Sequence, residues 1–229
     1  MGYPVTGTRE LALCHPDDEA RETEAMRLIG MLDSPYVRRT AISMRFMGLP
    51  FVNEPVSVFR HYDQFRAINP VVKAPTLVLD DGTVLMESGL ILDYLERLVA
   101  PDRRLTPAAP AALARAQRFV GLALAACEKT VQIVYETQLR PADKQHQPWL
   151  TRIEEQLRAA YGLLEAEIGS GEAWLLGDRP LQADITLAVA WRFTQLTLAD
   201  RIGAADYPAL ARFAARAEAL PEFVATPPV

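Results

Sequence analysis

Two short stretches carry residues that could do chemistry on a small molecule. In the first, Asp33-Ser34-Pro35-Tyr36, a hydroxyl stands directly before a proline. A hydroxyl at the N-cap with proline at the first helical position is a helix start. Such a hydroxyl, with the backbone N–H groups of the first turn and the positive end of the helix dipole, favours negative charge beside it. Ser34 is equally what an ordinary cap requires. Tyr36, inside the same turn, adds a phenol that can donate a hydrogen bond, or an aromatic face to pack on a second domain. In the second stretch, Glu87-Ser88, an N-cap at Ser88 would offer its N–H and hydroxyl to a carboxylate, and Glu87 could pair with an ammonium. One acid beside one anion-binding helix end matches the head of an α-amino acid. The same pair also reads as a plain cap with a solvated glutamate.

Composition narrows the chemistry. The net charge of −5 over 229 residues argues against a phosphate-tracking surface, so no nucleic-acid partner is expected. The longest apolar run, Phe119 to Cys127, is nine residues, well short of the roughly 20 needed to span a bilayer, so no membrane partner is expected either. Three histidines (His15, His61 and His146) and two distant cysteines (Cys14 and Cys127) show no metal-ligand spacing and no disulfide framework. No metal is expected, and the unpaired cysteines point to a reducing, cytoplasmic setting. Residues 1–25 lack the basic start and apolar stretch of a secretory signal. With its charged run His15 to Glu24, that segment is expected to be a flexible extension.

The elements that must position these residues follow from periodicity. Arg27 to Leu32 is a short apolar run that suits a buried strand. The helix after Ser34 carries Val37, Ala41 and Met44 on one face and stops at Gly48. Phe51 to Val58 alternates as a second strand, and Pro55 within it argues for a sheet edge. A polar stretch with one helical turn leads to Asn69-Pro70. Thr76 to Leu79 and Thr83 to Met86, joined by Asp80-Asp81-Gly82, read as a hairpin. Ser88 then starts a helix with Ile91, Leu95 and Leu98 on one face. Beyond the proline-rich stretch Pro101 to Pro110 only helices are predicted. They run through Ala116 to Val134, through Leu150 to Ile168 with a break at 169–171, from near Asp184, and through Leu210 to Leu220. The last three residues are expected to fray.

Over residues 26–225 the chain resembles the cytosolic glutathione S-transferase family, in its bacterial, serine-type form. The resemblance rests on Asp33-Ser34-Pro35-Tyr36-Val37-Arg38-Arg39, Asn69-Pro70-Val71-Val72-Lys73-Ala74-Pro75, Glu87-Ser88-Gly89-Leu90-Ile91-Leu92-Asp93-Tyr94-Leu95, and Trp174-Leu175-Leu176-Gly177-Asp178 with Ala183-Asp184-Ile185, in that order. It implies a thioredoxin-like βαβαββα domain over 26–102 that binds glutathione, and an all-helical domain over 103–229 that contributes the electrophile site. The implied reaction adds glutathione, as co-substrate, to a small hydrophobic electrophile, as in detoxification. The implied assembly is a homodimer.

Residue by residue, the resemblance implies that Ser34 donates to the glutathione sulfur, with Tyr36 as the competing phenol. It implies a cis Ala74-Pro75 bond that presents Ala74 to the cysteinyl backbone. Glu87 and Ser88 would take the γ-glutamyl head, and Lys73, His61 or Arg60 the glycine carboxylate. Tyr36, Phe119 and Tyr135 would line the electrophile site. Arg38 and Arg39 read as structural or solvated, and Cys127 as core. Departures are visible. Alanine replaces the commoner valine or isoleucine before Pro75, and Leu181 stands where the S/T-x-x-D box has a hydroxyl, leaving only the Asp184 half. The alternatives are a non-catalytic binding or interaction module on the same scaffold, and a glutathione-dependent isomerase such as maleylacetoacetate isomerase. The serine-serine-cysteine turn of those isomerases is not matched by Asp33-Ser34-Pro35.

Overall fold

A computed structural model describes residues 25–168 and 173–228. The expectations for the amino-terminal extension, for Cys14 and for the break at 169–171 lie outside them. The first half is a four-stranded sheet with helices on both faces. Its elements are β1 (Met26–Ile29), α1 (Pro35–Met47), β2 (Phe51–Glu54), α2 (Tyr62–Ile68), β3 (Thr76–Val78), β4 (Val84–Met86) and α3 (Ser88–Glu96). Strand order is β2-β1-β3-β4, with β1 parallel to β2 and antiparallel to β3, and β3 antiparallel to β4. This is the βαβαββα order, and β2 lies at an edge as Pro55 demands. The strand stops at Glu54, however, rather than running to Val58: proline has no N–H to extend the ladder and here ends it.

β1 is also shorter than the apolar run suggested, because Gly30 turns the chain at φ +141°. A Cβ there would sit 2.6 Å from Val37 Cγ2, so only glycine lets the strand end approach α1 this closely. Leu28 and Ile29 are both fully buried but on opposite faces. Leu28 joins the main core under α1 and α3, whereas Ile29 packs with Val56 and Phe65 beneath α2. α1 ends at Gly48, with φ +68° and its N–H donated back to the last turn, while Leu49 N–H reaches Met44 C=O at 3.0 Å.

The second half comprises α4 (Pro110–Val134), α5 (Gln147–Ile168), α6 (Gln182–Thr197), α7 (Pro208–Glu218) and the short α8 (Pro221–Val224). α6 is buried almost all round from Gln182 to Trp191 and packs on α4, α7 and α1, which joins the two halves into one core. It begins just ahead of Asp184. That carboxylate accepts from Leu181 N–H at 2.9 Å and from Leu175 N–H at 2.8 Å. Leu181 supplies no cap bond, so the missing half of the box is replaced by a tie to the Trp174 turn.

The chain is tied down as far as Thr226, and the last residue of the expected frayed end, Val229, lies outside the described residues. Arg38, buried on α1, donates from Nε to Thr226 C=O at 2.8 Å and pairs through both amino groups with Glu218 at 2.6 and 2.7 Å. Thr226 is buried in consequence and Pro228 reaches the cleft described below. No described helix is long and apolar enough to cross a membrane.

Candidate functional site

Three turns from different parts of the chain meet where α1 begins. Ser34 is the N-cap, with an extended backbone, and the first main-chain bond of α1 runs from Arg38 N–H to Ser34 C=O at 2.9 Å. Its Oγ accepts from Val37 N–H only at 3.5 Å. As the acceptor in that contact, the hydroxyl keeps its own proton for another partner. Tyr36 is half-buried on the same turn. Burial pushes its phenol well above the usual range, and neighbouring Cys127 and Glu128 add to the effect, so it stays protonated at neutral pH.

Opposite this turn the Ala74-Pro75 bond is cis. Lys73, exposed, and Val72, at φ +52°, precede it along the cleft. The third turn corrects the reading of the Glu87-Ser88 pair. The N-cap is Glu87, at φ +75°, and Ser88 is the first residue of α3. Glu87 Oε2 accepts from Gly89 N–H at 2.9 Å and Leu90 N–H at 3.2 Å, and Ile91 N–H goes to Glu87 C=O. Among the described residues this leaves the Ser88 N–H as the donor of that turn open to a ligand. Both side-chain bonds fall on Oε2, so Oε1 remains an acceptor. Ser88 Oγ in turn accepts from Arg39 Nη1 at 2.9 Å.

Ser34, Tyr36, Lys73, Ala74, Pro75, Glu87 and Ser88 line one cleft of about 640 Å³ between the two halves. The lining from the helical half is mainly apolar, with Val131 and Val134 of α4, Phe193 and Leu196 of α6, and an aromatic pair, beside Gln138 and Thr197. That pair is Phe59, on the loop after β2, set edge-on to Tyr135 with ring centroids 5.7 Å apart and planes at 79°. Tyr135 opens a π-helical turn, Tyr135–Leu139, that continues α4. A cleft with polar turns from one half and a mainly apolar lining from the other can hold a small zwitterionic peptide against a hydrophobic molecule.

Three expected residues are not there. Phe119 is 2% exposed and belongs to the main core, more than three turns of α4 before the cleft-lining Val131. His61 and Arg60 are exposed outside the cleft lining, and His61 Nδ1 accepts from Ser57 N–H at 3.2 Å in a local turn. Sequence reasoning missed Phe59 and Phe193. The signal for Phe59 was a bulky aromatic in an otherwise polar loop; Phe193 gave none that separates it from core. Arg39 is structural, as expected, but its contact with Ser88 brings it to the edge of the site. Cys127 is core: burial pushes its thiol up to about 12. Among the described residues no cluster of His, Cys, Asp or Glu could hold a metal ion.

Comparison with known proteins agrees with this geometry. The glutathione S-transferase N-terminal domain matches residues 28–103 and the C-terminal domain residues 147–216. The maleylacetoacetate isomerase of Pseudomonas aeruginosa is 30% identical over 210 residues, 86% of this chain and 93% of that protein. The uncharacterized GST-like protein YibF of Escherichia coli is 31% identical over 150 residues, 64% of this chain and 71% of that one. Among solved structures, a glutathione S-transferase from Methylobacterium radiotolerans in complex with glutathione sulfonate superposes with a TM-score of 0.82. It is 29% identical and covers 88% of this chain and 94% of its own. A glutathione transferase family member from Pseudomonas fluorescens with bound glutathione has a TM-score of 0.76 at 27% identity, covering 90% and 100%. Sequence motifs, sheet order, cleft and relatives converge: the chain belongs to the glutathione S-transferase family.

Proposed function

We propose that the cleft binds reduced glutathione, holds its sulfur as a thiolate beside Ser34, and adds it to a small hydrophobic electrophile. The observation that carries this reading is the loosely held Ser34 hydroxyl at the N-terminus of α1, facing the same cleft as the Glu87-Ser88 turn and a mainly apolar wall. The thiolate is the nucleophile, and a free thiol near pKa 8.5 is mostly protonated at neutral pH. A donated hydroxyl and a helix end both favour the anion. Ala74 flanks the cysteinyl backbone, Glu87 and Ser88 take the γ-glutamyl head, and Lys73 is the cation for the glycine carboxylate. Tyr36, Phe59 and Tyr135 border the electrophile. Relatives that bind glutathione or glutathione sulfonate in this fold support the assignment.

The test is glutathione binding by calorimetry, followed by ultraviolet titration of the thiolate in the complex and a panel of electrophiles. A lowered thiol pKa with turnover establishes the enzyme. Binding without a lowered pKa makes it a carrier or interaction module, and no binding refutes the site. A glutathione-dependent isomerase is the second reading, favoured by the near full-length match to maleylacetoacetate isomerase. An isomerisation assay with that substrate and glutathione separates the two. We further propose a cytoplasmic homodimer. Exposed Leu90 on α3 and Met86 on β4 support it, as apolar groups a partner would cover.

A further inference from the structure

Arg39 sits on α1 behind the Glu87-Ser88 turn and is 2% exposed. Its neighbour Arg38 has a bidentate acid in Glu218. Among the described residues Arg39 meets only hydroxyls: Nη1 donates to Ser88 Oγ at 2.9 Å and Nε to Thr186 Oγ1 at 3.2 Å. Burial lowers its guanidinium to about 10, which leaves it charged at neutral pH. Cys127, close by, is no counter-ion because its thiol is protonated. The Glu87 carboxylate acts on Arg39 from beyond contact distance and is itself engaged with the α3 N–H groups. Among the described residues this cation is buried without a contacting anion, an arrangement that is costly unless something negative arrives.

The hydrogen-bond directions say where. Arginine has no acceptor, so Ser88 Oγ must accept from Arg39, and its single proton is left to donate elsewhere. Beside that proton lies the open Ser88 N–H. Building on the reading of the cleft as a glutathione site, we propose that Arg39 is a positioning residue for the γ-glutamyl carboxylate, orienting the Ser88 hydroxyl toward it and supplying the charge behind it. Ser88 touches the ligand; Arg39 acts through Ser88.

The test compares wild type, R39Q and R39K by calorimetry, using glutathione and its analogue with the γ-glutamyl α-carboxylate converted to a carboxamide. R39Q is expected to weaken glutathione by about 10- to 100-fold and the carboxamide by less than about threefold. R39K, which keeps the charge, recovers most of the loss. At saturating glutathione R39Q retains kcat within about threefold, the effect falling on KM. The proposal is overturned if folded R39Q binds glutathione within twofold of wild type, or loses both ligands by the same factor. Should R39Q fail to melt cooperatively, S88A decides, since a preserved preference for glutathione over the carboxamide overturns the route through Ser88. If wild type binds neither ligand, the glutathione site itself falls, an outcome distinct from loss of the Arg39 effect alone.

Discussion

Replacing Ser34 with alanine isolates one hydrogen bond. The loosely held hydroxyl, with Val37 N–H at 3.5 Å, gives up a weak cap contact, so the folding penalty is about 0.5–1 kcal/mol and the protein stays native. What is lost is the bond to the thiolate. A hydrogen bond to a charged partner contributes about 1.5–3 kcal/mol, which at 1.36 kcal/mol per unit is roughly one to two units of thiol pKa. The α1 N-terminus remains and keeps about 0.3–1 kcal/mol of its own. Starting from a free thiol near 8.5, the intact site therefore holds the sulfur near pKa 6 to 7, and S34A returns it to about 8. At pH 7 the thiolate fraction falls by about five- to tenfold, and turnover with a reactive electrophile falls with it. The sign fixes the pH profile. Because the site depresses the pKa, the deficit is full below the depressed value and fades as pH rises from there through the S34A value near 8. The more basic thiolate of S34A, a slightly better nucleophile, narrows the gap further there. The assay is ultraviolet titration of the thiolate in both complexes, with turnover measured across the same pH range. An unmoved midpoint in folded S34A, or a deficit equal at all pH values, refutes the role of the hydroxyl. A shift in Y36F instead transfers it to Tyr36.

Three further outcomes test the scaffold. D184A removes the acceptor of both Leu175 and Leu181 N–H, costs about 3 kcal/mol, and lowers Tm by roughly 6–12 °C in a thermal melt. Glu96 accepts from Leu105 N–H and Thr106 Oγ1 on one oxygen, and burial raises its carboxyl above the usual range. Its ionisation therefore opposes folding as pH rises past the unfolded-state value, fully so above the folded one, so E96Q should be more stable than wild type at pH 7 and equal to it near pH 3. Denaturant midpoints at the two pH values check this, and a difference that grows on acidification contradicts it. Cys127, 1% exposed and with its thiol up at about 12, should resist a maleimide at pH 8 in native C14S protein and react fully in denaturant, as read by mass spectrometry.

Much of this was legible locally. Ser34-Pro35, Gly48 and Asp81-Gly82 mark a helix start, a helix stop and a turn by chemistry contained in a few residues, and the structure has all three where expected. Helical periodicity likewise located the long helices, because burial of one face is written at intervals of three and four. Resemblance, rather than periodicity, supplied the role of Ala74-Pro75. The swap of Ser88 for Glu87 as cap was beyond local rules. It depends on a glutamate held at φ +75°, which propensity assigns to glycine and only the surrounding turn enforces.

The amino-acid order by itself determined the strand segments, the long helices and the start of α1 at Ser34-Pro35. Tertiary structure alone decided which faces meet. Whether a phenylalanine of α4 joins the core, as Phe119 does, or a tyrosine at its end meets Phe59 across the cleft depends on how α4 is rotated against α6 and the sheet. One of the two side-chain partners of Arg39 among the described residues, Thr186, lies 147 positions away along the chain. Periodicity reports that a face is buried, while the identity of what buries it is set by long-range packing.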